Sequence, residues 1–365
     1  LYARRAQQET ATSGLDRQET AAFYDLKNQH PQASLILSAA HDWDLLCQTC
    51  QWVTQHPDAF GATILDVGCD CGLLSCFLAQ TFPHSRITSI DRSANGIHAA
   101  QQLAERLGLT NITFLHTDLE TLPPMEFDTV FSPRTVQENY DPLLENARFL
   151  PLTHQGRICA QVFQRYTSLL CQFVKPGGTF VTIERMERDR VFLGYCLALH
   201  SQGLDLVPES HQELHCQEGD HTTTLQAFCG VKEGRTTPTD AEDFFIATFQ
   251  DALTWQPRHL DVEGELILEL CAQDLIRGHF LHNPQGARVG KLAIYTSKFD
   301  PEELFYYQGI LGQPVQVHRL SRGELSDVLA LLETDLATLT ASTLSAHPFS
   351  FQNGVELLLE EMEED

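Results

Sequence analysis

Residues 64–75, ILDVGCDCGLLS, constrain this chain more than any other stretch. An apolar run ends in a turn with glycines at 68 and 72, and an apolar run resumes at once. That pattern predicts a buried strand, a tight loop and a helix. Glycines let the backbone approach a ligand, and the free N–H groups at the helix start favour an anionic or nucleotide-like group. The order Asp66-Val67-Gly68-Cys69-Asp70-Cys71-Gly72 is not GxGxxG, and the Gly-Lys-Ser/Thr of a phosphate-binding P-loop is absent from it. Asp66, ahead of the first glycine, points to a ligand end that is positive or rich in donors, not to a pyrophosphate.

The surrounding pattern alternates. Strands are predicted over 62–67, 86–90, 112–115, 127–131 and 179–184, with helices over 73–81, 96–107, 157–173 and 192–202 between or after them. Lys175-Pro176-Gly177-Gly178 reads as a turn, and Gly108 and Gly203 as helix stops. Two strands near 204–215 and 223–231 have no helix between them and should pair antiparallel at one edge. The expected fold is therefore α/β: a doubly wound, mostly parallel, seven-stranded Rossmann-like sheet with an antiparallel edge pair. Ahead of it, 34–54 suits one amphipathic helix, and 16–26 a shorter one.

Beyond a linker-like stretch at 232–243 the texture changes. Helices are expected over 241–255, 301–311 and 321–339, the last with Ser321 and Glu324 at capping-box spacing. Strands are expected over 265–270, 275–282, 288–296 and 315–320, with a turn at 283–286. This describes a smaller α+β domain. The division expected is an N-terminal helical arm or lid at 1–44, the ligand-binding domain at 45–233, the accessory domain at 240–345, and an acidic tail at 346–365, of which 356–365 is read as a frayed helix.

Charge narrows the partners. The net charge is −25, with no clustered basic stretch, which argues against nucleic acid. No apolar run nears the roughly 18 to 20 residues of a membrane span, and the first residues lack the apolar core of a secretory signal. These features point to the cytoplasm, where the eleven cysteines would be reduced. Cys47 and Cys50 have CxxC spacing, but no second pair completes a zinc site, and no metal is expected.

The loop resembles motif I of the class I S-adenosylmethionine-dependent methyltransferases, (D/E)-x-G-x-G-x-G, which holds the methionine end of the cofactor. Three further elements match in order: RITSIDRS, whose strand ends on Asp91, 25 residues after Asp66; ITFLHTDLETLP, with Asp118; and EFDTVFSP, with Ser132. KPGGTFVTIE resembles the family's fifth strand. The resemblance spans about residues 45–233 and implies S-adenosyl-L-methionine as cofactor. It places Asp66, Gly68, Cys69, Asp70 and Gly72 in the loop, Asp91 at the ribose hydroxyls with Arg92 as a further cofactor-binding residue, Asp118 and Leu119 at the adenine, and Ser132 near the transferred methyl. The departure is Asp70, at the family's middle glycine. Asp tolerates left-handed backbone, so the loop can form; its carboxylate would then attract the cofactor's positive groups, turn to solvent, or mark a degenerate loop.

Residues 132–141, SPRTVQENYD, reach the carboxyl edge of the sheet, where ligands bind in open α/β sheets. Arg134 is a candidate holder of a substrate anion, and Glu138 and Tyr140 are candidates to orient or deprotonate a nucleophile. Glu184 and Arg185 form a second set on that edge, His116 a wall, and Phe23, Tyr24 and Trp43 a lid. The function implied is methyl transfer to oxygen or nitrogen of a small molecule or of a peptide or protein side chain, with self-association through the C-terminal domain as a further expectation. Three rivals stand: a non-catalytic cofactor-binding protein whose C-terminal domain mediates interactions, a thiol or arsenic acceptor suggested by Cys69, Cys71 and Cys76, and an RNA acceptor.

Overall fold

A computed structural model describes residues 27–136, 152–186, 190–218, 221–233, 240–248, 258–259, 272–297, 300–311, 316–341, 343–352 and 355–358. The chain forms two compact units, Leu1–Leu150 with His154–Thr248, and Pro151–Thr153 with Phe249–Asp365.

The first unit is built on eight strands: β1 (Thr63–Val67), β2 (Arg86–Asp91), β3 (Ile112–His116), β4 (Phe127–Pro133), β5 (Val174–Glu184), β6 (Leu204–Leu206), β7 (Gln212–Glu218) and β8 (His221–Lys232). Their order is 3-2-1-4-5-8-6, and β7 also pairs with β8. Pairs among β1 to β5 are parallel, while β5, β6 and β7 all run antiparallel to β8. The sheet is thus Rossmann-like and mostly parallel. The single strand expected over 204–215 is two, β6 and β7, because Pro208–Ser210 forms a 3-10 turn between them.

Helices α1 (Pro31–His41) and α2 (Trp43–Gln55) replace the one helix expected over 34–54, with the break at Asp42. Next come α3 (Leu73–Thr81), α4 (Ala94–Leu107), α5 (Leu152–Cys171), α6 (Arg190–His200) and the short α7 (Ala241–Ala247). The Ser93 hydroxyl caps α4 by accepting from the Gly96 amide, and Gly108, with φ 67°, closes it. The core under α2 and α3 holds Trp52, Ile64, Leu78, Ile87, Phe131 and Val181, all buried. Phe244 and Phe245 of α7 pack against Phe192 of α6, so α7 belongs to this unit.

The second unit carries an antiparallel sheet of order 15-14-10-11-12-13-9: β9 (Arg258–His259), β10 (Ala272–His282), β11 (Arg288–Ser297), β12 (Glu303–Ile310), β13 (Gln316–Ser321), β14 (Ser345–Gln352) and β15 (Val355–Leu358). Helix α8 (Leu325–Thr340) packs Val328, Leu332 and Leu336 on Leu281, Leu292, Ile294 and Tyr306. The capping box of Ser321 and Glu324 is present, on a 3-10 turn leading into α8. Two expectations are corrected. The stretch 301–311 holds β12, Glu303–Ile310, not a helix: Leu304, Phe305, Tyr306 and Tyr307 are all buried, as suits a strand between β11 and β13. Residues 355–358 are strand, not frayed helix, and 359–365 lie outside the described residues, as do the strand expected at 265–270 and the helix at 16–26. Among the described residues no helix is long and apolar enough to cross a membrane.

Candidate cofactor and acceptor site

The parallel strands deliver their carboxyl ends to one edge, where a cavity of about 240 Å³ opens. Asp66, Gly68, Cys69 and Asp70 line it from β1 and its loop, Asp91 and Arg92 from the end of β2, Asp118 and Leu119 from beyond β3, and Arg134 from the end of β4. The acids expected from three separate sequence blocks therefore meet in one hollow. Gly72 and Ser132 do not line it. Gly72 caps α3 in left-handed conformation, φ 80°, pressed so close to α4 that a Cβ would lie 2.5 Å from the Ala100 Cβ. Ser132 is buried and bonded to the Thr135 hydroxyl at 2.5 Å, so its expected place at the cavity passes to Thr135, which does line it. Glu138 and Tyr140 lie outside the described residues.

Asp66 is fully buried, and the Ser75 hydroxyl donates to its Oδ2 at 2.5 Å. Its Oδ1 has no hydrogen-bond partner among the described residues. Burial raises its carboxyl to about 6, against the pull of the Ser75 and Ser89 hydroxyls, and the nearby Asp91 charge adds to the rise. Asp91 is raised as well, by burial, although the backbone N–H groups of Ser93 and Asp70 donate to it at 2.7 and 2.8 Å. Asp118 is more open: its Oδ1 accepts from the Glu120 amide at 3.0 Å, and Arg92 stands 3.8 Å from Oδ2.

Asp70 adopts φ 47°, the left-handed conformation that a glycine would take there. Its side chain is neither turned to solvent nor held on the cavity side alone. It accepts from the Lys27 ammonium and from Asn28 Nδ2 at 2.7 Å, with Ser38 Oγ at 3.5 Å. The acid at this position thus ties the chain ahead of α1 to the loop.

Arg134, expected to wait for a substrate anion, is already matched. Its Nη1 donates to Asp42 Oδ1 at 3.3 Å, and Nη2 lies 3.7 Å from Glu218 Oε1, while Arg185 pairs with Glu218 Oε2. Burial alone would raise both carboxyls, yet Arg134 holds Asp42 below the usual range, and Arg134 with Arg185 does the same for Glu218. Glu184 is buried and accepts the amides of Thr135 and Val136 at 3.0 and 3.2 Å, fixing the turn after β4. His116 bonds the Arg92 carbonyl at 3.0 Å and is not a lining residue. Trp43, expected as part of a lid, is 65% exposed; Leu45, Leu46 and Thr49 on the next turns of α2 line the cavity instead. Phe23 and Tyr24 lie outside the described residues.

The cysteines around the loop are protonated thiols. Burial pushes Cys71 to about 11, Cys76 to about 12, and Cys69 well above its usual value. Among the described residues no three His, Cys, Asp or Glu side chains form a metal-holding group.

Lys27, Ser38, Asp42 and Tyr166 are lining residues that sequence reading did not single out. For Asp42 a signal existed, the polar pair His41-Asp42 interrupting an amphipathic run. For Lys27 there was none.

A model of the methyltransferase-domain family matches residues 59–228. The ribosomal RNA small subunit methyltransferase G of Chlorobium luteolum is 36% identical over 106 residues, 29% of this chain and 42% of that protein. Its namesake from Bacillus thuringiensis is 27% identical over 176 residues, 48% of this chain and 63% of that protein. The chain therefore spans about two fifths to three fifths of the curated relatives it matches. The magnesium protoporphyrin IX methyltransferase of Synechocystis PCC 6803, solved with bound SAM, superposes with a TM-score of 0.42 at 15% identity, covering 60% of this chain and 99% of that one.

Proposed function

We propose that this chain, which through residues 59–228 belongs to the class I S-adenosylmethionine-dependent methyltransferases, transfers a methyl group to an oxygen or nitrogen of a neutral or cationic acceptor. The observation that carries the reading is the meeting of Asp66, Asp91 and Asp118 around one cavity behind a glycine loop.

The residues fit the cofactor. The buried Asp66 Oδ1, without a partner among the described residues, suits a cationic donor. Gly68, at φ 75°, leaves the loop bare where a Cβ would come 2.8 Å from Thr135. Asp91 would hold the ribose hydroxyls, and Asp118 with Leu119 the adenine. When bound, the cofactor supplies an electrophilic methyl on a sulfonium. The chain's own part is to place a nucleophile in line and keep water away, worth about 7 to 11 kcal/mol of barrier. Glu138 and Tyr140 keep the proposed role of orienting or deprotonating the acceptor.

The acceptor's charge follows from the pairing of Arg134 and Arg185 with Asp42 and Glu218. Two guanidiniums answered by two carboxylates offer no net attraction to an anion. This supports an amine or a neutral hydroxyl, and the net charge of −25 agrees. A second reading, an RNA acceptor, is favoured by the names of the curated relatives. A soft thiol or arsenic acceptor finds no support in the protonated, buried cysteines. The second unit is read as an accessory domain for acceptor contacts or self-association.

The test is transfer from methyl-labelled S-adenosylmethionine to separate pools of small amines and alcohols, proteins, and deproteinised ribosomal RNA. Label in the first two pools supports the reading, and label in the RNA pool alone replaces it with the second. Cofactor binding without transfer to any pool would favour a non-catalytic binder.

A further inference from the structure

Asp42 stands where α1 stops and α2 starts. Its backbone N–H closes α1 on the Ser38 carbonyl at 2.8 Å, and its own carbonyl takes the Leu46 amide at 2.8 Å. Aspartate is a favoured cap at such a position, yet its side chain makes no cap bond to α2. The carboxylate is spent elsewhere. The residue lines the cavity, and its side chain is 13% exposed. His41 Nδ1 at 2.9 Å and Arg134 Nη1 at 3.3 Å both meet Oδ1. Among the described residues Oδ2 takes no hydrogen bond. Against the effect of burial, Arg134 holds the carboxyl below its usual range, so it is an anion at neutral pH. An ionised carboxylate with an open oxygen accepts from an N–H or O–H donor.

Charge selects between those donors. Among the described residues, five aspartates line the cavity against three cations, Lys27, Arg92 and Arg134. The cofactor brings a sulfonium, an ammonium and a carboxylate, a single net positive charge. One negative charge is left over, and a cationic acceptor balances it. Asp42 also stands on the acceptor side. Its partner Arg134 directly follows β4, the strand whose end the family resemblance gives to the transferred methyl. Leu45 and Leu46, three and four residues on along α2, line the cavity with Ile183 of β5 and offer an apolar wall.

We propose that Asp42 Oδ2 takes an N–H of the acceptor, and that the acceptor is a primary or secondary amine whose apolar body lies on Leu45, Leu46 and Ile183. The proposal rests on the methyl-transfer reading above and narrows its acceptor to nitrogen. The amine enters as an ammonium and gives one proton to water. Its lone pair then forms the N–C bond while the C–S pair stays on sulfur. The positive charge thereby arrives on the acceptor nitrogen, and a carboxylate fixed beside that nitrogen favours the charge as it develops.

The test is calorimetry with S-adenosylhomocysteine and with three ligands built on its frame. In these, nitrogen replaces sulfur and carries a 2-aminoethyl, a 2-hydroxyethyl or a propyl arm into the acceptor space. The natural chain should bind the aminoethyl ligand about tenfold or more tighter than the propyl one, with hydroxyethyl between them. Asp42→Asn keeps an oxygen for Arg134 and His41 but turns Oδ2 into a donor. It should hold S-adenosylhomocysteine within about threefold and reduce the aminoethyl advantage to about twofold or less. Equal binding of all three arms by the natural chain overturns the proposal. So does an aminoethyl advantage that survives in Asp42→Asn. A loss of S-adenosylhomocysteine as large as that of the aminoethyl ligand also overturns it, because Asp42 would then serve the cofactor. If Asp42→Asn does not fold, the arms are compared on Arg134→Gln. Removing the cation that answers Asp42 should widen the aminoethyl advantage, and an unchanged or narrower one overturns the proposal. Failure of the natural chain to bind S-adenosylhomocysteine overturns the cofactor reading itself.

Discussion

The backbone N–H of Asp70 donates to Asp91 Oδ2 at 2.8 Å, and Asp91 Oδ1 takes the Ser93 amide at 2.7 Å. One carboxylate at the end of β2 thereby fixes the glycine loop after β1 and the start of α4. An amide side chain has a single acceptor oxygen and cannot serve both. Asp91→Asn should lose about 1 to 3 kcal/mol of stability from one orphaned buried N–H. It should also weaken S-adenosylhomocysteine by at least tenfold. Thermal unfolding and calorimetry on the same samples check this; full affinity in the variant would remove Asp91 from the site.

Asp70→Gly restores the residue that the family has at this position and should nonetheless destabilise the chain. Relief of the left-handed conformation returns about 1 kcal/mol. Loss of a carboxylate partner of a buried lysine costs about 3 to 5 kcal/mol, toward the low end because Asp70 is a quarter exposed. The expected net loss is about 2 kcal/mol by denaturant titration. A more stable glycine variant would show that the Lys27 tie contributes nothing.

Asp66 gives a pH signature. Its carboxyl lies at about 6 in the folded chain, against about 3.9 when unfolded. Between those values the folded chain holds a proton that the unfolded chain has released, so this residue's contribution falls as pH rises, by about 3 kcal/mol in all. Asp66→Asn should then be more stable than the natural chain above pH 6, with the difference vanishing below about pH 4. Binding of a cationic ligand end should expel the proton, so calorimetry near pH 6 in buffers of different ionisation enthalpy should show proton release, absent from the variant. A stability difference that does not change with pH would contradict the burial-driven rise.

Arg134 acts in the opposite sense on Asp42 and Glu218. Both carboxyls lie below their usual values, so their stabilisation is present above the unfolded values near 4 and is lost as pH falls through the lower folded ones. Arg134→Gln should raise both and cost about 1 to 2 kcal/mol at neutral pH, between exposed and buried pairs. The cost should shrink toward pH 3. Acid titration followed by circular dichroism measures it, and a cost that persists undiminished at pH 3 would assign it to packing instead.

What was legible in the sequence was local. The apolar run 63–67 and the helix 73–81 could be read directly because period, glycine spacing and caps agree within a dozen residues. The acids at 91 and 118 were legible because parallel strands all end at one edge. The partners of Asp70 and Arg134 were not, since Lys27 and Asp42 stand 43 and 92 residues away and nothing local marks them. Residues 301–311 misled for a different reason: Pro301-Glu302-Glu303 resembles a helix start, while Phe305, Tyr306 and Tyr307 favour a sheet that only the neighbouring strands β11 and β13 make available.

Two glycines with the same backbone conformation separate local strain from close approach. Gly72 and Gly108 both end or begin a helix with positive φ, 80° and 67°. A Cβ on Gly108 meets nothing within 4 Å, whereas one on Gly72 lies 2.5 Å from the Ala100 Cβ and 2.9 Å from its Cα, atoms that cannot rotate away. Gly108→Ala should therefore cost only the conformational penalty, about 1 to 2 kcal/mol. Gly72→Ala should add about 1 to 3 kcal/mol of overpacking and push the loop off α4. Denaturant midpoints should rank the natural chain above Gly108→Ala and that variant above Gly72→Ala. Cofactor affinity should fall only in Gly72→Ala, because only there does the displaced backbone carry Asp70 and its hold on Asp91. Equal costs for the two variants would mean that α3 and α4 are not packed through this glycine, and the close approach would lose its role in shaping the site.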